Sequence, residues 1–180
     1  MNKTHVGVGL LTSALMATVS LATATVASSG EASADTTSIA ECSFSAHFRV
    51  DPGVTPTLAA STFTTVGDVS LHCDGDVNGA RVTGPGSYRE WGATFGNCLG
   101  GDGGGWYEAQ IPTTAGTQVV KGNYRLWYAV DETGGHGGET GSSIDATFQF
   151  FPAVGTCQAD DPMTEFDLNQ QQQLYTNSRN

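Results

Sequence analysis

Side chains alternate along this chain with a period of two. Cys42, Phe44, Ala46, Phe48 and Val50 interleave with Ser43, Ser45, His47 and Arg49, which gives an extended segment one apolar and one polar face. The same spacing returns at Phe63, Thr65, Gly67, Val69, Leu71 and Cys73, and again at Trp91, Ala93 and Phe95. Tyr107, Ala109 and Ile111 form a shorter stretch, and Ile144, Ala146, Phe148 and Phe150 another. Between them, Val120, Tyr124, Leu126, Tyr128 and Val130 face one way while Lys121, Asn123, Arg125 and Trp127 face the other. Thr164, Phe166 and Leu168 make a last, weak repeat. No apolar stretch of helical period follows residue 34. Seven to eight short strands separated by turn residues predict an antiparallel β-sandwich or barrel.

The N-terminus reads as an export signal. Lys3 precedes a small and apolar run from Val6 to Ala27, and Ala32-Ser33-Ala34 supplies a small-x-small cleavage pattern. A membrane span needs about 20 apolar residues, but Thr and Ser dilute this run and no basic cluster follows it. Residues 1–34 are therefore expected to be removed, leaving no membrane attachment. Residues 35–168 are expected to form one β-domain, and the polar stretch 169–180, with its run NQQQQ, a disordered tail. Four cysteines, Cys42, Cys73, Cys98 and Cys157, are an even number in an exported chain and predict two disulfides. Three pairings exist. If the first two strands are antiparallel neighbours, Cys42 and Cys73 lie at the same end of them, which favours Cys42 with Cys73 and Cys98 with Cys157.

Charge narrows the partners. The net charge is −11, and loss of residues 1–34 leaves it unchanged because Lys3 and Glu31 depart together. Nucleic acid and anionic lipid are repelled, since binding polyanions requires basic patches that release counterions. Extracellular proteins and neutral glycans remain.

Two readings compete for the segment Cys73 to Ala80, CDGDVNGA. Asp74, Asp76 and Asn78 offer oxygens at calcium-loop positions one, three and five, but the twelfth position is Pro85 and no helix flanks it, which excludes an EF-hand. An open β-loop calcium site is the functional alternative. A hairpin turn at Asn78-Gly79 is the favoured reading, because both residue types tolerate positive φ. No cofactor is expected otherwise. The glycine-rich runs GGDGGG (100–105) and GGHGGETG (134–141) read as flexible connections, and His136 with Glu139 gives a metal too few ligands on too loose a backbone. His47 and His72 fall on polar strand faces.

Catalysis finds little support. There is no Gly-x-Ser-x-Gly elbow, and disulfide formation consumes every thiol. Glu90 and Glu108, set beside strand aromatics, are the nominees for a glycosidase carboxyl pair, which must share one cleft. Aromatic side chains point instead to binding. Trp91, Trp106, Tyr107 and Trp127 lie in or beside strands, and Trp127 shares a polar face with Lys121 and Arg125, an arrangement suited to stacking on a sugar or anchoring a protein. The expected function is a secreted, non-catalytic binding module. Its rivals are an enzyme inhibitor that inserts the Leu99 to Trp106 loop, tied at Cys98, into a cleft, and a small glycoside hydrolase.

The order of landmarks LHCDGDVNGARVTGPG (71–86), NCLGG (97–101) and Gly155-Thr156-Cys157 resembles that of small secreted β-sandwich proteins of actinobacteria, across roughly residues 60–160. That resemblance implies an extracellular β fold and carries over no catalytic residue; Cys42 has no counterpart in it.

Overall fold

The structure is a computed structural model describing residues 40–131 and 134–175. Its strands are β1 (Ala40–Val54), β2 (Ala59–Thr65), β3 (Val69–Val77), β4 (Ala80–Arg81), β5 (Gly86–Asn97), β6 (Gly100–Thr113), β7 (Gly116–Asp131), β8 (Gly134–Gly141), β9 (Ile144–Val154) and β10 (Met163–Leu174). Every pairing is antiparallel. From β5 to β10 each strand pairs with the next, and β10 pairs with β1 from Ala40↔Leu174 to Val54↔Met163.

β2 and β3 together fill a single position. β2 pairs with the Phe48–Asp51 part of β1 and with the second half of β5, and β3 pairs with the Ala40–Ser43 part of β1 and the start of β5. They are one strand, interrupted at Val66-Gly67-Asp68, where Gly67 takes a φ of 75° and the Val66 amide donates to the His47 carbonyl at 2.8 Å. The period-two pattern that runs unbroken from Phe63 to Cys73 in the sequence is thus a single strand with a kink. With that counted once, eight strand positions close into an up-and-down barrel. Of the two architectures expected, the structure selects the barrel over the sandwich.

Closure disposes the alternating residues in a definite way. The inward set includes Phe44, Phe48, Val50, Phe63, Leu71, Tyr88, Tyr107, Ile111, Tyr124, Ile144, Phe148, Phe150 and Leu168. Eight strands leave an interior about as wide as the side chains that fill it. The disulfides pair Cys42 with Cys73 and Cys98 with Cys157. The first joins directly opposed residues of β1 and β3, and the second ties the β5–β6 turn to the β9–β10 connection.

Three expectations fail. Residues 169–174, read as the start of a disordered tail, are the second half of β10: Gln170, Gln172 and Leu174 point inward and are buried, which the polar letters of the run conceal. Residues 176–180 lie outside the described residues, as does the signal segment 1–34. The runs 100–105 and 134–141 are not connections but the start of β6 and the whole of β8. The reason is room. A Cβ at Gly135 would fall on the Phe150 ring, and one at Gly137 on the Phe148 ring and the Trp127 carbonyl, so glycine vacates the space that large rings on β9 fill. On β5 the expected apolar face also inverts: Trp91, Ala93 and Phe95 point to solvent while Tyr88, Glu90 and Thr94 line the interior.

Candidate functional site

The wall formed by β5, β6 and β7 gathers four exposed aromatics, a fifth, Phe151, standing apart on β9. Register places Trp91 opposite Trp106 and Trp106 opposite Asn123; two residues along, Ala93, Gly104 and Arg125 align, and then Phe95, Asp102 and Trp127. Trp91 is 41%, Phe95 51%, Trp106 55% and Trp127 53% exposed. Neighbouring strands are about 4.8 Å apart and residues on one face about 6.8 Å apart, so the four rings stand on a patch roughly 10 Å by 14 Å. Gly104, without a side chain, leaves its centre flat.

Polar groups frame this patch. The Arg89 guanidinium stands 5.7 Å over the Trp91 ring and donates to Glu108 Oε2 at 2.9 Å. That hydrogen bond, then one from Gln110, holds the Glu108 carboxyl below the usual range. Lys121 and Arg125 lie on β7 on the same face. The Trp127 indole meets the His136 ring edge-on, centroids 6.0 Å apart, and lies over Gly138, where a Cβ would come within 3.0 Å of its Nε1. Trp127 is therefore held in place while its outer face stays open.

Of the residues nominated from sequence, Trp91, Trp106, Lys121, Arg125 and Trp127 come together on this wall. Tyr107 does not. It follows Trp106 in a strand, so it points inward, is 1% exposed and bonds Ser143; burial pushes its hydroxyl up to about 12. Glu90 and Glu108 also separate, Glu90 into the barrel and Glu108 onto its outside, because Glu90 is opposite inward Tyr107 and Glu108 opposite outward Arg89. The proposed glycosidase pair has a β-wall between its members. The inhibitory loop from Leu99 to Trp106 is likewise mostly strand, with only the turn at Cys98-Leu99 projecting.

At Asn78-Gly79, φ values of 52° and 76° and the pairing Val77↔Ala80 give a two-residue hairpin turn. Asn78 Nδ2 donates to Gln118 Oε1 at 3.0 Å, and Asp74 and Asp76 point to solvent along β3. Among the described residues, no group of three His, Cys, Asp or Glu side chains is placed to hold a metal ion.

Sequence reasoning missed the polar centre of the barrel. Glu90 from β5 and Glu139 from β8, both buried, are hydrogen-bonded to each other. Glu90 also accepts from Tyr124 and, at 3.1 Å, from Tyr88. Gln170 Nε2 donates to Glu139 Oε2 and to Gln172 Oε1, each at 3.0 Å. Burial first, and then the adjacent Glu90 charge, push the Glu139 carboxyl well above the usual range; burial raises Glu90 too, opposed by its three donors. Both carboxyls therefore resist ionising, Glu139 the more strongly. The sequence signal was the alternation of Gly135, Gly137 and Glu139, which makes Glu139 an inward residue once β8 is recognised as a strand.

No protein-family model, curated protein or solved structure matches the chain.

Proposed function

We propose that this protein is a secreted, non-catalytic binding module whose β5–β7 outer wall recognises a neutral glycan. The observation carrying the reading is the exposed patch of Trp91, Trp106, Phe95 and Trp127 on three adjacent strands. Indole faces stack on the apolar faces of sugar rings, while Asn123, Asp102, Arg125 and Glu108 beside them offer donors and acceptors for hydroxyls. Size favours this ligand: the patch covers on the order of 140 Å², whereas each side of a stable protein interface buries about 800 Å². The net charge of −11 argues for a neutral rather than an acidic chain. Two disulfides are consistent with an extracellular setting, and the export signal read at residues 1–34 supports secretion.

An extracellular protein is the second reading, supported by Arg89 and Arg125 among the tryptophans, a composition enriched at protein interfaces. Glycan-array binding and capture of extracellular proteins, run side by side on the wild type, Trp106→Ala and Trp127→Ala, separate the two. Either substitution is expected to weaken retention at least tenfold, a loss of roughly 1.4 kcal/mol or more. Both should leave Tm within about 2 °C, since the rings are half in solvent. Unchanged retention by both variants rejects the wall as the binding surface.

A further inference from the structure

The barrel interior contains a second, separate feature. A cavity of about 60 Å³ runs from Glu90 and Glu139 toward the end bearing the Cys98–Cys157 bridge, between Phe63, Phe148 and Phe150, and reaches the partly exposed Thr94, Leu126, Tyr128 and Phe166. Apart from the two carboxyls and the hydroxyl-bearing Thr94 and Tyr128, its lining residues are apolar. Every Lys, Arg and His among the described residues stands on the outside of the barrel, so no described cation faces the pair. Gln170, which bonds Glu139 but does not line the cavity, and Gln172 beyond it each keep one buried polar atom without a hydrogen-bond partner, Oε1 and Nε2. Buried polar atoms are seldom left so, and such exceptions call for an explanation.

We propose that the cavity and the Glu90–Glu139 pair form a binding site for a small organic cation, a primary alkylammonium with its head at the carboxyls and its tail between Phe63, Phe148 and Phe150. An ammonium presents three N–H donors, and the Glu90 and Glu139 carboxyls, the two acids among the cavity's lining residues, supply the acceptors. The apolar walls account for the tail. Size sets its length: a cavity of about 150 Å³ holds benzene, so one of about 60 Å³ suits two or three carbons. Anions are excluded by the carboxyls, and alcohols lack the charge. A cationic head beside the raised Glu139 carboxyl favours its ionisation, so binding near neutral pH releases protons to solvent.

The test is calorimetric titration of the folded, disulfide-bonded protein near neutral pH with propylammonium chloride, 1-propanol and sodium propionate, in two buffers of different ionisation heat. Propylammonium is expected to bind one to one, at least tenfold tighter than the alcohol or the acid, with the buffer difference reporting the released proton. Glu139→Gln should lower the affinity at least tenfold and abolish the release. Leu126→Trp keeps both acids and blocks the channel at a partly exposed position, and it should also abolish binding. Val119→Ser, exposed on the outer face of β7, should leave propylammonium binding unchanged. Absence of propylammonium binding, equal binding of 1-propanol, or full binding by Leu126→Trp would overturn the assignment.

Discussion

Glu139 places a second carboxyl where Glu90 already stands, in a medium that solvates neither. Burial raises both carboxyls; the three donors of Glu90, Tyr124 and Glu139 before Tyr88, oppose the rise there, while the Glu90 charge adds to it at Glu139. Because the folded affinity of Glu139 for its proton exceeds the unfolded one, its contribution to stability is fully present below the ordinary carboxyl value of 4.5. That contribution is lost as pH rises through the raised folded value. His47 on the outer surface adds to the trend. Its hydrogen bonds to Asp167, at 2.9 Å, and Glu165, at 3.0 Å, raise it above 6.5, so its contribution also fades on passing to alkaline pH. Thermal unfolding followed by circular dichroism should accordingly show Tm falling between about pH 5 and pH 8. Glu139→Gln is expected to flatten most of that fall, since the new amide nitrogen can donate to Glu90 and its oxygen accept from Gln170 without a titrating proton. A slope unchanged in this variant would mean that the acid pair does not couple to folding.

At the scale of elements, β8 and the start of β6 are strands that glycine makes by subtraction. Large rings on neighbouring strands occupy the volume that inward side chains would otherwise take: Phe148 and Phe150 reach over Gly137 and Gly135, and the Tyr124 hydroxyl lies 2.5 Å from where a Cβ of Gly105 would stand. Overpacking such a site typically costs about 1–3 kcal/mol. Gly137→Ala is therefore predicted to lower Tm by roughly 3–10 °C in a scanning melt. Gly79→Ala tests a different cause. Nothing crowds that position, but its φ of 76° disfavours a side chain, so the expected loss is about 1 kcal/mol. Equal and negligible effects at both would remove ring packing as the reason for the glycines of β8. On β5 the same logic works outward, as Trp91 and Phe95 are left on the wet face because Glu90 and its tyrosine partners take the interior.

Across the whole molecule, closure depends on β10. It lies between β1 and β9, and its final residues pair with the first residues of β1 on one side and with Ile144 and its neighbours on the other. Ending the chain after Leu168 deletes Gln170, Gln172 and Leu174 from the core and opens two sheet edges. The truncated protein is expected to lose its cooperative melt and aggregate. Retention of a melt within a few degrees of the parent would contradict the closed barrel. Replacing Cys98 and Cys157 together by serine is a milder insult at the other end, predicted to cost about 2–4 kcal/mol in urea titration, because the bridge restrains the unfolded chain while the ladder of strands survives.

The sequence alone determined what local physics determines. Alternation every second residue commits the chain to strands, Asn78-Gly79 commits it to a tight turn, and four cysteines at strand ends limit the pairings to three. The outer-wall residues Lys121, Arg125 and Trp127 were legible for the same reason, as they lie opposite the clear apolar stripe of β7. Only tertiary structure decided which face of an ambiguous strand turns inward, because that depends on the volume left by neighbours that are distant in sequence. Hence Gly135 and Gly137 become a strand, the glutamines of β10 enter a core, and Glu90 meets Glu139 across the barrel rather than Glu108 along its wall. A closed sheet has one interior to fill, and each strand's register is settled by what the others have already placed there.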